Sequence, residues 1–218
     1  MQVIGICGFI GSGKNTVGKI LKEAGYKPVS FAETLKDATS VIFGWERALL
    51  EGDTDESRKF REQPDEFWSG VFGYEFTPRF ALQKMGTEAG RNVFGEQIWV
   101  ESVVKKMYDI INSEGETKFV ITDVRFENEI KTIERLGGKI FEVARGESPE
   151  WYDCALRTKS GAAPKYERME VLYPKIHISE WDWITVKKSG IIWNNKDLEH
   201  LHNEVNRLIL NEENNATI

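Results

Sequence analysis

Between Gly8 and Thr16 the chain reads Gly-Phe-Ile-Gly-Ser-Gly-Lys-Asn-Thr. A glycine, four residues and a Gly-Lys pair is the spacing of a phosphate-binding loop. Glycines let backbone N–H groups turn toward phosphate oxygens, a following helix adds positive potential at its N-terminus, and Lys14 can reach the β and γ phosphates of a bound nucleotide. Gly11, Ser12, Gly13, Lys14, Asn15 and Thr16 are therefore the candidate nucleotide cradle. The pattern normally continues with Ser or Thr as a magnesium ligand, whereas this chain has Asn15, with Thr16 one position later. One step along a helix turns a side chain by about 100°, so Thr16 does not simply inherit the role. Either the Asn15 amide oxygen ligates the ion, or nucleotide and water hold most of it, which suits a hard cation that keeps several waters.

A second constellation is Asp123 and Arg125, just past the apolar run 119–122. Ligands of open α/β sheets bind beyond the carboxyl ends of strands. Side chains placed there would meet a ligand; a surface ion pair is the bland alternative. Lys36 and Asp37 lie one turn into a helix of the second βα unit, where a solvated face is an equal reading. Arg79 opens a helix and Gln83 follows one turn later on the same side. The aromatics Trp151, Tyr152, Trp181 and Trp183 either stack on a base or pack a core.

The elements that must position these groups follow from periodicity. Residues 3–7 form a buried strand, 8–13 a glycine turn, and 14–24 a helix with Val17, Ile20 and Leu21 inward. A strand at 29–31 and a helix at 34–43 make the second βα unit. Residues 46–66 carry eight acidic and four basic side chains and little aliphatic surface, which reads as a surface insertion or mobile segment. Helices follow at 79–92 and 97–111, a strand at 119–122, and a helix at 130–136 stopped by Gly137-Gly138. A strand at 139–144, an irregular stretch at 148–174, a strand at 191–193 and an amphipathic helix at 198–210 complete the order, with a tail from 211 expected to fray. Alternating β and α predicts an α/β fold with a parallel sheet and helices on both faces.

The 218 residues with a formal charge of -6 argue against a broad basic face for nucleic acid. Mean hydropathy of -0.43 describes a soluble globular chain. The apolar start, residues 1–10, has no basic flank and is too short to span a bilayer. Cys7 and Cys154 make no disulfide framework, and Cys7 reads as a buried free thiol. His177, His200 and His202 cannot alone build a zinc site.

In order along the chain stand the loop 8–16, Leu35-Lys36-Asp37-Ala38, Arg79 with Leu82-Gln83 and Met85-Gly86-Thr87, Trp99-Val100, Asp123-Val124-Arg125-Phe126-Glu127-Asn128-Glu129, and His177-Ile178-Ser179-Glu180. This set resembles the deoxynucleoside monophosphate kinases of tailed bacteriophages, within the P-loop nucleoside monophosphate kinase superfamily. Members carry Asp-Thr where this chain has Asn15-Thr16, so the departure from Ser/Thr is familial. The resemblance implies transfer of the γ-phosphoryl of ATP, with Mg2+, to a deoxynucleoside monophosphate. It implies one three-layer P-loop kinase domain over 1–218, with a variable insertion at about 46–75 and a lid-like segment at about 146–175. Lys14, Arg125 and Arg145 become the catalytic candidates, Arg145 because it stands at the lid entrance; Arg157 and Arg168 lie within the lid, and the sequence does not rank them. Lys36, Arg79, Gln83, Asp123 and Arg125 become the acceptor ligands. Asn194 becomes an adenine neighbour, with a plain turn as its alternative, and Asn15 and Asp123 the metal ligands, directly or through water. A homodimer in the cytoplasm of an infected bacterium is also implied. Other small-molecule P-loop kinases, of the dephospho-coenzyme A or phosphomevalonate type, are the nearest alternative; a P-loop ATPase switch is the more distant one.

Overall fold

The computed structural model describes residues 1–211; the remainder of the tail expected to fray, 212–218, lies outside the described residues. The chain forms two compact units, one built from Met1–Ser30 with the chain from Ile110 onward, the other from Phe31–Asp109. Among the described residues no helix is long and apolar enough to cross a membrane.

The first unit holds five parallel strands: β1 Gln2–Cys7, β2 Lys27–Val29, β3 Lys118–Ile121, β4 Lys139–Ala144 and β5 Gly190–Trp193, in the order β2-β3-β1-β4-β5. In β1 every residue from Val3 to Cys7 is buried, as a central parallel strand requires when both faces are covered. Ile4 and Ile6 point to one face and pack with Val17, Ile20 and Leu21 of the helix Lys14–Glu23 and with Leu201 and Val205 of the helix Leu198–Val205. Gly5 points to the other face, where a Cβ would meet Ile133 of the helix Glu127–Arg135 at 2.7 Å. Helices thus cover both faces, as the alternation of elements predicts. Burial pushes the Cys7 thiol up to about 12, leaving it inert at neutral pH.

Three expectations for this unit need correction. The second strand lies at Lys27–Val29, two residues earlier than 29–31, although Phe31 is still buried. The stretch 148–174 is not irregular throughout: it contains the helix Tyr152–Lys159, whose only fully buried residue is Ala155, too little to leave a periodic signal. The last helix ends at Val205 and continues as a π turn, Asn206–Leu210.

The second unit corrects the reading of 46–66 as a bare surface or mobile segment. It folds into a short turn, Arg47–Leu50, and the helices Asp55–Glu62 and Glu66–Phe72. They close on Trp45, Leu50, Phe76, Ala81 and Leu82, with Leu35, Phe43, Phe60, Trp68 and Phe80 packed against that cluster. The Trp45 indole N–H donates to Asp65 Oδ2 at 2.7 Å, while Asp65 Oδ1 accepts the Trp68 N–H at 2.8 Å and caps the helix Glu66–Phe72. The apolar mass is aromatic and sits largely outside the window 46–66, which is why composition within that window misleads. The expected helix 79–92 is also divided, into Pro78–Lys84 and a π stretch Met85–Arg91. The indole N–H of Trp99 donates to the Gly86 carbonyl at 2.8 Å, and a Cβ on Gly90 would lie 2.5 Å from the Trp99 ring. Two glycines four apart thus admit the indole against the helix backbone.

Candidate active site

The loop Gly8–Thr16 leaves the end of β1 in a path that only glycine allows. Gly8 has φ +142, and a Cβ there would stand 2.4 Å from the Val143 carbonyl oxygen of β4. Gly13 has φ +106, and its Cβ would collide with the Asn194 amide nitrogen at 2.3 Å. That nitrogen donates to the Ser12 carbonyl at 2.8 Å, and the Asn194 backbone N–H donates to Ala144 at 2.8 Å. Asn194, at the end of β5, therefore buttresses the loop from below. The Gly13 carbonyl accepts from Thr16 and Val17 N–H and starts the helix Lys14–Glu23, whose first N–H groups have no partner within the helix. The Ser12 hydroxyl is buried and meets no hydrogen-bond partner among the described residues.

Lys14 folds over this loop. Its ammonium donates to the Gly8 and Phe9 carbonyls, at 2.8 Å each. Burial, reinforced by the Arg125 guanidinium and opposed by Glu180, brings its pKa down to about 8. Lys14 and Arg125, far apart in sequence, thus share one electrostatic neighbourhood.

Arg125 is placed by two glutamates. Its guanidinium donates to Glu180 Oε1 at 2.9 Å. Its backbone N–H, with that of Phe126, donates to Glu129 Oε2 at 2.7 and 3.0 Å. Glu129 is buried and reaches back from the third position of the helix Glu127–Arg135, the glutamate half of a capping box. Glu180 is delivered by the turn Ile178–Glu180, capped by His177, whose Nδ1 accepts the Ser179 N–H at 3.2 Å. The motifs at 123–129 and 177–180 are therefore one device for holding Arg125. Asp123 lies two residues away, and its Oδ2 accepts the Ser30 hydroxyl at 2.7 Å.

Residues 71–165 match the deoxynucleotide monophosphate kinase family. A protein of Acanthamoeba polyphaga mimivirus bearing that family's name is 30% identical over 153 residues, which span 66% of this chain and 75% of that protein. The chain belongs to the deoxynucleotide monophosphate kinase family. It is a phosphotransferase, and membership implies ATP as donor and a deoxynucleoside monophosphate as acceptor. The matched segment contains Arg79, Gln83, Asp123, Arg125 and Arg145, whereas the loop Gly8–Thr16 lies outside it and stands on its own geometry. Among solved structures, TT1252 from Thermus thermophilus shares 19% identity at a TM-score of 0.47, covering 96% of each chain. Dephospho-CoA kinase from Campylobacter jejuni shares 14% at 0.48, covering all of both chains.

The other expected kinase residues are scattered over both units. In the first unit, Arg145 is exposed and makes no hydrogen bond or ion pair among the described residues, while Arg157 pairs with Glu167 at 2.5 Å. Lys159 pairs with Asp182 at 2.7 Å and Glu127 at 3.3 Å, fastening the helix Tyr152–Lys159 to the start of the helix Glu127–Arg135. In the second unit, Lys36 pairs with Glu51 at 2.5 Å, Arg79 pairs with Glu62, and Gln83 is exposed. Trp151, Tyr152 and Trp183 surround Phe9 of the loop, so packing uses their rings. Sequence reasoning missed Glu129 and Ser30 as supports of the site. An acidic residue three positions after a helix start was the available signal for Glu129; Ser30 has none, because its partner lies 93 residues away.

For a metal, the described residues offer no group of three or more His, Cys, Asp or Glu side chains. Asn15 is exposed at the start of its helix, and Asp123 already accepts one hydrogen bond. That donor set fits an ion carried in by nucleotide phosphates and completed by water, rather than a dedicated protein cage.

Proposed function

We propose that the first unit binds ATP at the loop Gly8–Thr16 and directs its γ-phosphoryl to a deoxynucleoside monophosphate whose phosphate or base is held by Arg125. The observation that carries this is the convergence of Lys14 and Arg125: two cations share a partly buried neighbourhood at the mouth of a glycine loop, with Glu180 as resident counter-charge. Such a place attracts polyanions and stabilises charge spread over a transferred phosphoryl group. Loop N–H groups and Lys14 would hold the β and γ phosphates. Incoming phosphate would compete with Glu180 for the Arg125 guanidinium. Arg145, exposed and without a partner among the described residues, is free to fold onto the transferred group, as a lid arginine does, and to help exclude water. No general base is required, because a phosphate monoester oxygen is already a competent nucleophile.

Asn15 and Asp123 would hold a magnesium ion, directly or through its waters; the ion would neutralise the β and γ oxygens. Lys36, Arg79 and Gln83 are the acceptor candidates of the second unit, each at present engaged with a glutamate or with solvent. Asn194 supports the loop, and any contact with adenine would be additional to that role. The phage relatives suggest a homodimer, and a phage origin would place the kinase in the bacterial cytoplasm; light scattering of the purified chain tests the dimer.

The test is an ADP-release assay with ATP and Mg2+, presenting each dNMP and NMP separately beside an acceptor-free control. ADP formation that depends on particular dNMPs, with the matching dNDP detected, is the expected result. ATP hydrolysis indifferent to every monophosphate would refute the reading.

A further inference from the structure

Phosphate binding by a glycine loop works through backbone N–H groups and a lysine, and asks for no aromatic side chain. Phe9 is nevertheless seated among three rings. Its centroid lies 5.4 Å from Trp151 and 5.8 Å from Tyr152, both edge-on, and 5.1 Å from Trp183 at a tilt of 58°. These distances and angles are those of favourable aromatic pairs. The rings come from two separate stretches of the first unit: the start of the helix Tyr152–Lys159, and the segment that follows Glu180.

Trp183 is itself fixed. It is buried, its indole N–H donates to the Glu180 carbonyl at 3.1 Å, and the Lys188 ammonium sits 5.1 Å from its ring centroid. The side chain of Phe9 is therefore anchored while its backbone does the work of the loop. The Phe9 carbonyl accepts from the Lys14 ammonium at 2.8 Å and from the Ser12 N–H at 3.2 Å. Glu180, which carries Trp183 through its carbonyl, holds Arg125 through its carboxylate. One aromatic cluster thus borders both cations of the site.

We infer that Phe9 is a positioning residue for the kinase reaction: its ring, seated between Trp151, Tyr152 and Trp183, fixes the loop backbone that aims Lys14 and couples that loop to the start of the helix Tyr152–Lys159. Polyphosphate entering the loop is consequently sensed by the tryptophans of the cluster. The inference rests on the loop being the nucleotide site.

The experiment uses the intact chain with Phe9→Ala, Phe9→Tyr and Lys14→Ala. It reads tryptophan emission on adding ATP, the kcat and KM for ATP and for the accepted dNMP, and thermal unfolding. The wild type changes its emission on ATP. Phe9→Ala loses most of that change and about ten- to a hundredfold in kcat, as expected for a misplaced catalytic group. Its KM for the dNMP stays within about twofold of wild type, because acceptor binding does not use the loop. Phe9→Tyr, which keeps the ring, restores both the emission change and kcat. Wild-type kcat and emission change in Phe9→Ala would overturn the inference. A lowered melting temperature with kcat retained would also overturn it, by making Phe9 packing alone. Lys14→Ala that binds ATP and turns over like wild type would instead remove the loop assignment, and the inference with it.

Discussion

The two compact units solve the same problem with different chemistry. The first buries Ile, Val and Leu on continuous parallel strands, and the second buries a handful of aromatic rings between short helices. In the first, the backbone of a glycine loop and two unlike cations are positioned by groups up to 182 residues away. In the second, the charged residues singled out by sequence sit in ion pairs: Lys36 with Glu51, Asp37 with Arg47, Arg79 with Glu62. Strand-built scaffolds make a rigid site, and short-helix scaffolds leave charges that must exchange partners before they can meet a ligand.

Removing the ring that centres the second unit should have the largest effect. Trp45→Ala is expected to cost about 3–5 kcal/mol, as for other buried aromatic truncations. Thermal or urea unfolding should show the loss, and ATP binding measured by calorimetry should survive if the first unit is the donor site. Next comes the loop. Lys14→Ala should lower kcat by about 10²–10³-fold, the scale of losing one pre-organised donor to the transition state, with far-ultraviolet circular dichroism unchanged. Gly8→Ala should destabilise by about 2 kcal/mol or more, because strain at φ +142 adds to a collision with Val143. Gly11→Ala meets no neighbour and carries only the backbone penalty, about 1 kcal/mol. A chemical denaturation series of the two variants separates clash from strain.

Lys14 also gives the site a pH dependence. Its pKa in the folded chain, about 8, lies below the 10.5 of a free lysine, so the fold disfavours the ammonium. The stability cost is present below pH 8 and disappears above about 10.5. Lys14→Met should therefore raise stability near pH 7 by about 1–2 kcal/mol, after allowing for the two lost hydrogen bonds, and the gain should fade as pH rises through that window. ATP favours the ammonium, so its affinity should fall as pH rises through 8, with proton uptake visible in calorimetry in buffers of different ionisation enthalpy. The smallest effect is expected at the ion pairs of the second unit. Lys36→Ala should change stability by less than about 1 kcal/mol, yet raise the KM for the dNMP if its exchange of partner from Glu51 is part of acceptor binding.

What could be read from the sequence follows the same division. β1, β3, β4, the glycine loop and the stop at Gly137 were legible because parallel strands are continuous apolar runs and glycine turns have a local cause. The loop, Lys14 and the Asp123–Arg125 pair were legible as types and spacing. Their supports were not: Asn194 under the loop, Glu180 on Arg125 and Ser30 on Asp123 are contacts at long range that no periodicity records. The aromatic core of the second unit was hidden because its members are spread over residues 35–82 and outnumbered by surface charge. The helix Tyr152–Lys159 was hidden because it buries a single alanine completely.

On the function proposed above, Arg125, held ready by Glu180 beside Lys14, serves the acceptor rather than the donor. The most direct measurement is the KM for ATP and for the accepted dNMP in Arg125→Ala. The KM for the dNMP is expected to rise by at least about tenfold while that for ATP stays within about twofold. Equal increases for both substrates, or an increase for ATP alone, would contradict it.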